Sequence, residues 1–254
     1  MIMRLGKMFR MVEIEINSQC NRKCSYCPNS FMKRKEQGEM ESKVFYKLLE
    51  SLRKIKFDGR ISYHFFGEPL LCKNLIPYVK ETKIQLPDSK IFLYSNGDYL
   101  DREKLVLLND YGVDKFIITN HQGNGHRFQK VYDHISDNLK EKVTYLTSKE
   151  LNLVNRGGLL EGVGGNVISE RPCIVPKNLL VITCKGNVVY CFNDYCQVHT
   201  MGNIMERDLI DIWNDEVYVR IRTELAEGKR SNYEVCKVCN HYSALTEDGL
   251  DFEL

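Results

Sequence analysis

The sequence predicts an α/β fold in which parallel strands alternate with helices, arranged as an open sheet or a partial barrel. First, strand-like and helix-like patterns alternate along residues 9–154, which is the order of elements in parallel β-α-β units. Second, about six strands can be counted there, fewer than the eight of a full barrel. Third, 254 residues, 43% of them hydrophobic, suffice for one large domain or one domain with an appendage. Functional residues are then expected at the carboxyl ends of the strands.

The elements of the first half follow one another in regular order. Residues 9–17 alternate apolar and polar positions, which predicts the first strand, and a cysteine-bearing loop comes after it. Helix patterns cover residues 44–55, 74–85, 101–112 and 126–141. Further strand patterns cover residues 61–67, 90–97, 115–121, 142–147 and 151–154.

The pattern changes near residue 155. Residues 155–167 contain five glycines, which indicates a flexible crossing or a boundary. Residues 179–192 are rich in β-formers on both sides of a Lys-Gly-Asn turn and predict a β-hairpin. Residues 208–227 predict a helix, with an aspartate as N-cap and a glycine after its end. We therefore divide the chain into residues 1–157 and 158–254.

The charge balance excludes several classes of partner. Lys and Arg total 36 against 34 Asp and Glu, so the net charge of +2 provides no field for holding nucleic acid or an anionic membrane.

The sequence has no run of about eighteen apolar residues, and its N-terminus lacks the apolar core of a signal peptide. We expect a cytoplasmic protein with no nucleic-acid or membrane partner. Its ten cysteines then stay reduced, and those that cluster in the sequence are expected to act as metal ligands.

The loop after the first strand carries Cys20, Cys24 and Cys27 in the spacing C-x3-C-x2-C. Three thiolates can hold a four-iron cube and leave one iron open for a ligand that is not protein. From spacing alone, a zinc loop and a ferredoxin-type electron-transfer site remain alternatives.

With Tyr26 directly before its third cysteine, this loop resembles that of the radical S-adenosylmethionine (SAM) superfamily. The resemblance implies that the turn Phe66-Gly67-Glu68-Pro69 after strand two holds the methionyl amine of SAM. It implies that Ser95-Asn96-Gly97 after strand three presents polar groups to the SAM ribose, although taken alone this is an ordinary Asn-Gly turn. His121, which ends strand four, is assigned to SAM binding as well, with a capped strand end as the alternative.

A second cysteine set comprises Cys173, Cys191, Cys236 and Cys239. Its spacing around Gly186 resembles the SPASM and twitch extensions found in part of the superfamily. Four cysteines on a hairpin and a C-x2-C pair also fit a structural zinc site, which remains the alternative. Because no cysteine follows this set, the resemblance is to the shorter twitch form. It implies a partial (β/α)6 TIM-like barrel in residues 1–157, a C-terminal twitch extension with a β-hairpin and a helix in 158–254, and two 4Fe-4S clusters with SAM as cofactors.

Nearly the whole chain resembles the twitch radical SAM dehydrogenases that oxidise a secondary alcohol of an aminocyclitol in antibiotic biosynthesis. In them a 5′-deoxyadenosyl radical removes a hydrogen atom from a small cyclitol or sugar-like substrate, and the auxiliary cluster accepts an electron. An external one-electron reductant such as flavodoxin or ferredoxin is implied. The residues that this resemblance assigns to catalysis are Arg156, which contacts the substrate hydroxyl, and Tyr94. Those it assigns to substrate binding are Tyr94, Arg156 and Phe192. Asn193, next to the pocket aromatic, and His64, on strand two facing either the core or the active site, are added as substrate-binding candidates.

Three assignments stay open at this point. Asn193 stands where an acidic residue is expected to meet a substrate amine, with Asp194 next to it. Cys196 is a candidate hydrogen-atom donor, which would make the enzyme an epimerase instead of a dehydrogenase. Cys72 and Cys184 have no assigned role, and a non-catalytic zinc or nucleic-acid-binding module is the remaining functional alternative.

Overall fold

The computed structural model describes residues 8–167 and 170–241. Eight strands form one sheet in the order β5-β4-β3-β2-β1-β6-β7-β8. The strands are β1 Met11–Ile14, β2 Arg60–Tyr63, β3 Lys90–Ser95, β4 Val113–Asn120, β5 Val143–Thr147, β6 Leu179–Ile182, β7 Asn187–Val189 and β8 Thr200–Asn203. Strands β1 to β6 pair in parallel, whereas β7 and β8 are antiparallel. Among the described residues β5 and β8 are the two edges, so the sheet stays open.

Helices connect the parallel strands and cover the sheet. They are α1 Ser42–Lys54, α2 Leu75–Gln85, α3 Arg102–Asp110, α4 Arg127–His134, α5 Asp137–Lys140, α6 Val175–Asn178, α7 Leu209–Trp213, α8 Glu216–Ala226 and α9 Glu234–Lys237. In α1 the apolar residues Val44, Leu48 and Leu52 recur every four positions and are buried, so the helix packs one face into the core. No helix in the described ranges is long and apolar enough to cross a membrane.

The predicted α/β fold with a partial barrel and a C-terminal extension is confirmed, but the identity of the sixth parallel strand differs from the prediction. Residues 151–154 are not a strand. The sixth strand is β6, the first half of the predicted hairpin, which pairs with β1 from Met11↔Leu179 to Ile14↔Ile182. Because β6 is fully buried and apolar, it can complete the sheet beside β1, whereas 151–154 is partly exposed. The two predicted segments thus share one sheet, and the boundary at residue 157 stays a prediction.

Two segments that were each predicted as one helix form two helices in the structure. The helix predicted over 126–141 breaks at Ile135, which is extended and buried, and α5 begins after Ser136. In the C-terminal half, Asp208 caps α7 as predicted, by accepting a hydrogen bond from the Ile210 N–H at 2.9 Å. Asp215 then caps a separate helix, α8, through the Val217 N–H at 3.0 Å. Strand β8 was not predicted, since its residues show no apolar alternation.

Candidate active site

The first cysteine set lies in the loop at the carboxyl end of β1, as predicted. The backbone N–H of Cys27 donates to the Cys24 carbonyl at 3.1 Å, which draws the two thiols together. Burial, together with the nearby charges of Glu68, Cys27 and Cys24, raises the pKa of Cys20 to about 11. Three thiols placed this way are stabilised as thiolates by a bound group that supplies positive charge.

The two turns assigned to SAM are tied together by the Glu68 carboxylate. Its Oε1 accepts hydrogen bonds from the Leu70 N–H at 3.0 Å and the Ser95 hydroxyl at 2.8 Å, and its Oε2 accepts one from the Asn96 N–H at 2.9 Å. Burial raises the pKa of Glu68 to about 7. Because its oxygens already have three donors, Glu68 positions the turns, and the groups left for a ligand are those of the turns themselves.

The loop after β3 is also joined to the cysteine loop. Asn96 Nδ2 donates to Asn21 Oδ1 at 2.9 Å and lies 3.9 Å from Cys20 Sγ. Arg22 Nε donates to Asp98 Oδ2 at 2.7 Å. Asp98, which directly follows the Ser-Asn-Gly turn, was missed by the sequence analysis because nothing in its spacing marks it. These bonds hold the first cysteine set beside the predicted ribose-binding turn.

Tyr26 and His121 line the same cavity as that turn and contact each other. The Tyr26 hydroxyl hydrogen-bonds His121 Nδ1. Burial lowers the pKa of His121 to about 4, so the imidazole is neutral at physiological pH. The two residues form an uncharged surface of the cavity. An aromatic ring of a ligand would pack against this surface more favourably than a charged group of the ligand would.

Gly67 allows the closest backbone approach in the site. A Cβ built there would lie 1.7 Å from the Asn17 carbonyl oxygen. We expect Gly67→Ala to push the turn out of place, to cost about 1–3 kcal/mol of stability and to weaken SAM binding more than tenfold. Thermal unfolding and SAM titration measure the two effects. Gly165→Ala is the control, since a Cβ at Gly165 has no heavy atom within 4 Å; equal behaviour of the two variants would contradict the expectation.

A cavity of about 270 Å³ opens at the carboxyl ends of the strands. The residues predicted for the first cluster, SAM and substrate line it, with the exception of Asn193 and of Pro69 and Gly97 in the two turns. They are Cys20, Cys24, Tyr26, Cys27, His64, Phe66, Gly67, Glu68, Tyr94, Ser95, Asn96, His121, Arg156 and Phe192. Residues 151–154 line it too, so the segment mispredicted as a strand forms part of its wall.

Arg156 occupies a strained position in this cavity. Its φ of 49° is in the left-handed region, which costs a non-glycine residue about 1 kcal/mol or more. The preceding Asn155 holds it there, because its N–H donates to Asn240 Oδ1 at 2.8 Å and its Nδ2 donates to the Val238 carbonyl at 2.6 Å. Burial lowers the pKa of Arg156, whereas Cys27, Glu13, Cys191 and Cys239 are near enough to raise it. Arg156 therefore lies between the two cysteine sets.

The sequence analysis missed three charged residues of the cavity, Glu13, Arg22 and Arg60. The His64 ring stacks on Tyr94 with centroids 4.2 Å apart, and His64 Nε2 lies 3.5 Å from Glu13 Oε2. Burial raises the pKa of Glu13 to about 8, although Arg60 and Arg156 oppose the shift. Burial also lowers the pKa of His64 to about 3. The sequence feature that could have identified Glu13 is the apolar–acidic alternation of residues 9–17. It places Glu13 and Glu15 on one face of the extended segment but does not show that this face points inward.

The second cysteine set comes together in the C-terminal part. Burial raises the pKa of Cys191 well above its usual value, and Cys173, Cys236 and Cys239 raise it further, so the four thiols are neighbours. Across the described residues, no three side chains of the His, Cys, Asp or Glu type converge at the spacing of a single metal ion. The grouping of each cysteine set therefore rests on the sequence spacing and on the mutual effect of the thiols on their pKa values. The role of these cysteines as metal ligands stays a prediction.

The assignment of Asn193 to substrate binding stays a prediction, and the side chain lies outside the cavity lining. Asn193 is buried and does not line the cavity, because its side chain turns toward Cys239. Asp194 does not replace it, since its carboxylate accepts hydrogen bonds from the Val198 N–H at 2.8 Å and the His199 N–H at 3.1 Å. Cys196 is absent from the described lining of the cavity. Cys72 and Cys184 are both buried in the core, as small hydrophobic residues are.

Two family models match the chain. The radical SAM superfamily model matches residues 14–158, and the SPASM model, described as an iron-sulfur cluster-binding domain, matches residues 173–240. The second match supports an iron-sulfur cluster over zinc at the second cysteine set.

Similar proteins extend the match over nearly the whole chain. The S-adenosyl-L-methionine-dependent 2-deoxy-scyllo-inosamine dehydrogenase of Niallia circulans is 46% identical over 250 residues, which cover 98% of this chain and 100% of that one. The crystal structure of BtrN in complex with AdoMet and 2-DOIA has a TM-score of 0.90 at 46% identity, over 96% of this chain and 97% of that one. BtrN in an open conformation has a TM-score of 0.77 at 40% identity, over 98% and 100%. The fold is thus more similar to the complex than to the open conformation.

Proposed function

The chain belongs to the radical SAM superfamily, and from that premise we propose that it dehydrogenates a secondary alcohol of an aminocyclitol to a ketone. The observation that carries the proposal is a cavity that contains Arg156 and Glu13 and borders the first cysteine set, in a chain 46% identical to an aminocyclitol dehydrogenase. The family implies SAM and a 4Fe-4S cluster in the barrel, and the SPASM match implies a further iron-sulfur cluster.

The donor sets fit these groups. Cys20, Cys24 and Cys27 are three clustered thiols beside a ligand-sized cavity, which suits a cube with one open iron. The second set supplies four thiols and suits a fully ligated cluster. When bound, SAM and the first cluster supply a 5′-deoxyadenosyl radical that takes a hydrogen atom from the carbinol carbon, and the second cluster supplies an acceptor for one further electron.

Arg156 orients the hydroxyl that is oxidised. A guanidinium stays protonated in proteins, so it donates hydrogen bonds to the alcohol oxygen and does not act as a base. The hydroxyl proton leaves together with the second electron, because a hydroxyl on a radical carbon is acidic. His64 and Tyr94, stacked at 4.2 Å, form a wall against which the ring of the cyclitol packs.

Glu13 receives the substrate amine in this proposal. The acidic residues in the described lining of the cavity are Glu13 and Glu68, and Glu68 is already engaged by three donors. Asn193 and Asp194 both point elsewhere. A carboxylate at Glu13 pairs with an ammonium group and so fixes which hydroxyl of the ring faces Arg156.

The pH dependence of substrate binding tests this role. The pKa of Glu13 is raised to about 8, so the carboxylate fraction grows as pH rises from 6 to 8, and we expect the KM for an aminocyclitol to fall over that range. In Glu13→Gln the KM should rise at least tenfold and lose this dependence. The same cyclitol without its amine is the matched control, because its KM should respond little to either change. An unchanged pH profile in Glu13→Gln would remove Glu13 from the amine site.

The reductant and the compartment complete the proposal. All ten cysteines are free, which supports a reducing compartment such as the cytoplasm. Lys23 is exposed in the cysteine loop and close enough to Cys27 to affect its pKa. An acidic one-electron carrier such as flavodoxin or ferredoxin would meet this positive charge beside the first cluster.

The decisive experiment is an anaerobic reaction with SAM, a one-electron reductant and an aminocyclitol deuterated at the carbinol carbon. We expect a ketone and 5′-deoxyadenosine in equal amounts, with deuterium in the 5′-deoxyadenosine. Ketone formation should persist in Cys196→Ser. A product with solvent hydrogen at an inverted carbon, lost in Cys196→Ser, would establish the epimerase instead.

A further inference from the structure

The second cysteine set is surrounded by hydrogen-bond donors from two side chains. Asn193 Nδ2 lies 3.5 Å from Cys239 Sγ, and the Tyr190 hydroxyl lies 3.4 Å from Cys236 Sγ. Both residues are buried, with exposed fractions of 2% and 0%. Two backbone N–H groups add to them, from Asn193 to Cys191 Sγ and from His241 to Cys239 Sγ, each at 3.4 Å.

The chemistry of a thiolate sets the direction of these contacts. A thiolate has no proton to give, so the Asn193 amide must face it with its NH2 and the Tyr190 hydroxyl must donate. Asn193 Oδ1 is buried with no hydrogen-bond partner in the described part of the chain, so the sulfur contact is what holds the side chain. A carboxylate at this position could not donate and would add a negative charge beside the sulfurs.

Positive charge lies near the same sulfurs. Arg230 is buried, and its Nη2 donates to the Cys239 carbonyl at 3.1 Å. Arg156 is close enough to Cys191 and Cys239 for its pKa to respond to them. Hydrogen bonds to the sulfurs and nearby positive charge both stabilise a cluster more after it has gained an electron than before.

We propose that Asn193 and Tyr190 raise the reduction potential of the cluster held by Cys173, Cys191, Cys236 and Cys239. The proposal rests on the function above, in which that cluster accepts an electron. There, the cluster would accept one electron from the substrate radical while the hydroxyl gives up one proton, which would leave a ketone. A higher reduction potential of the cluster makes electron transfer from the substrate radical more favourable. It also makes the return of the electron from the cluster to the ketone less favourable.

The test measures the potential directly, without SAM or substrate. In the Cys20/Cys24/Cys27→Ala background only the second cluster should be loaded, so its midpoint potential can be read by a spectroscopic redox titration. Asn193→Leu and Tyr190→Phe each remove one donor without adding charge and should lower the potential. Asn193→Asp adds a charge as well and should lower it most, by at least the 59 mV that corresponds to a tenfold change in a one-electron equilibrium.

Tyr195→Phe is the matched control. The Tyr195 hydroxyl has the Met32 carbonyl at 3.0 Å and Asn29 Oδ1 at 3.2 Å as acceptors for its one proton. Both lie away from the second set, so this variant should keep the background potential. Iron content is measured alongside, and if the Asn193 variants lose iron, Tyr190→Phe alone decides. A potential unchanged in Tyr190→Phe, with iron retained, would overturn the proposal. Because no substrate takes part, that result would leave the assigned reaction unaffected.

Discussion

Replacing Cys20, Cys24 and Cys27 together with alanine is expected to abolish turnover and to halve the iron content. The native protein should hold about eight irons per chain after anaerobic reconstitution, and the variant about four, because the second set of cysteines is untouched. Activity should fall below detection, since this set carries the open iron on which SAM chemistry depends. Iron and zinc analysis beside the ketone assay measures both effects.

The control for this experiment is Cys72→Ala. Cys72 is buried in the core outside both sets, so its loss should leave the iron content at the native value. About four irons and one zinc in the native protein would contradict the assignment of the second set and remove the proposed electron acceptor. Full iron in the triple variant would show that the first set is not a cluster site.

Sequence patterns predicted the parts of the site that depend on local spacing. Cys20, Cys24 and Cys27 share one loop, and the turns at Glu68 and Ser95 each follow a strand, so their meeting at one edge of a parallel sheet follows from topology. The sheet does bring Glu68 and Ser95 within 2.8 Å of each other. Local spacing is sufficient here because each group lies at the end of its own strand.

The sequence patterns did not predict the direction in which individual side chains point. Asn193 follows Phe192, which lines the cavity, yet it turns to Cys239, because adjacent residues on a turn can face opposite sides. Glu13 belongs to an alternating strand whose polar face is normally exposed to solvent, and only the curved sheet turns that face toward a cavity. Long-range pairing was missed for a similar reason, since nothing in the sequence of β6 tells that it lies beside β1 instead of only beside β7.

Removing the guanidinium of Arg156 should strongly lower turnover while both cysteine sets stay intact. Arg156 is held in a strained left-handed conformation between the two cysteine sets, and such strain persists where the surrounding structure imposes it. Arg156→Gln should lower kcat/KM by about 100- to 1,000-fold, the range for losing one preorganised donor to a reacting oxygen. Arg156→Lys should recover part of this loss, because it keeps the charge but not the fork of donors.

The form of the defect separates a role in orientation from a role in stability. If Arg156 orients the hydroxyl, SAM cleavage continues in Arg156→Gln, and 5′-deoxyadenosine accumulates in excess over ketone, because the hydrogen atom is then taken from a misplaced substrate or from other donors. The control is Arg222→Gln, which removes an arginine stacked 3.9 Å over Trp213 outside the cavity, and it should keep the two products in equal amounts. Equal amounts in Arg156→Gln, with kcat/KM unchanged, would show that the cavity orients its substrate without this residue and would transfer that role to its neighbours Glu13 and Arg60.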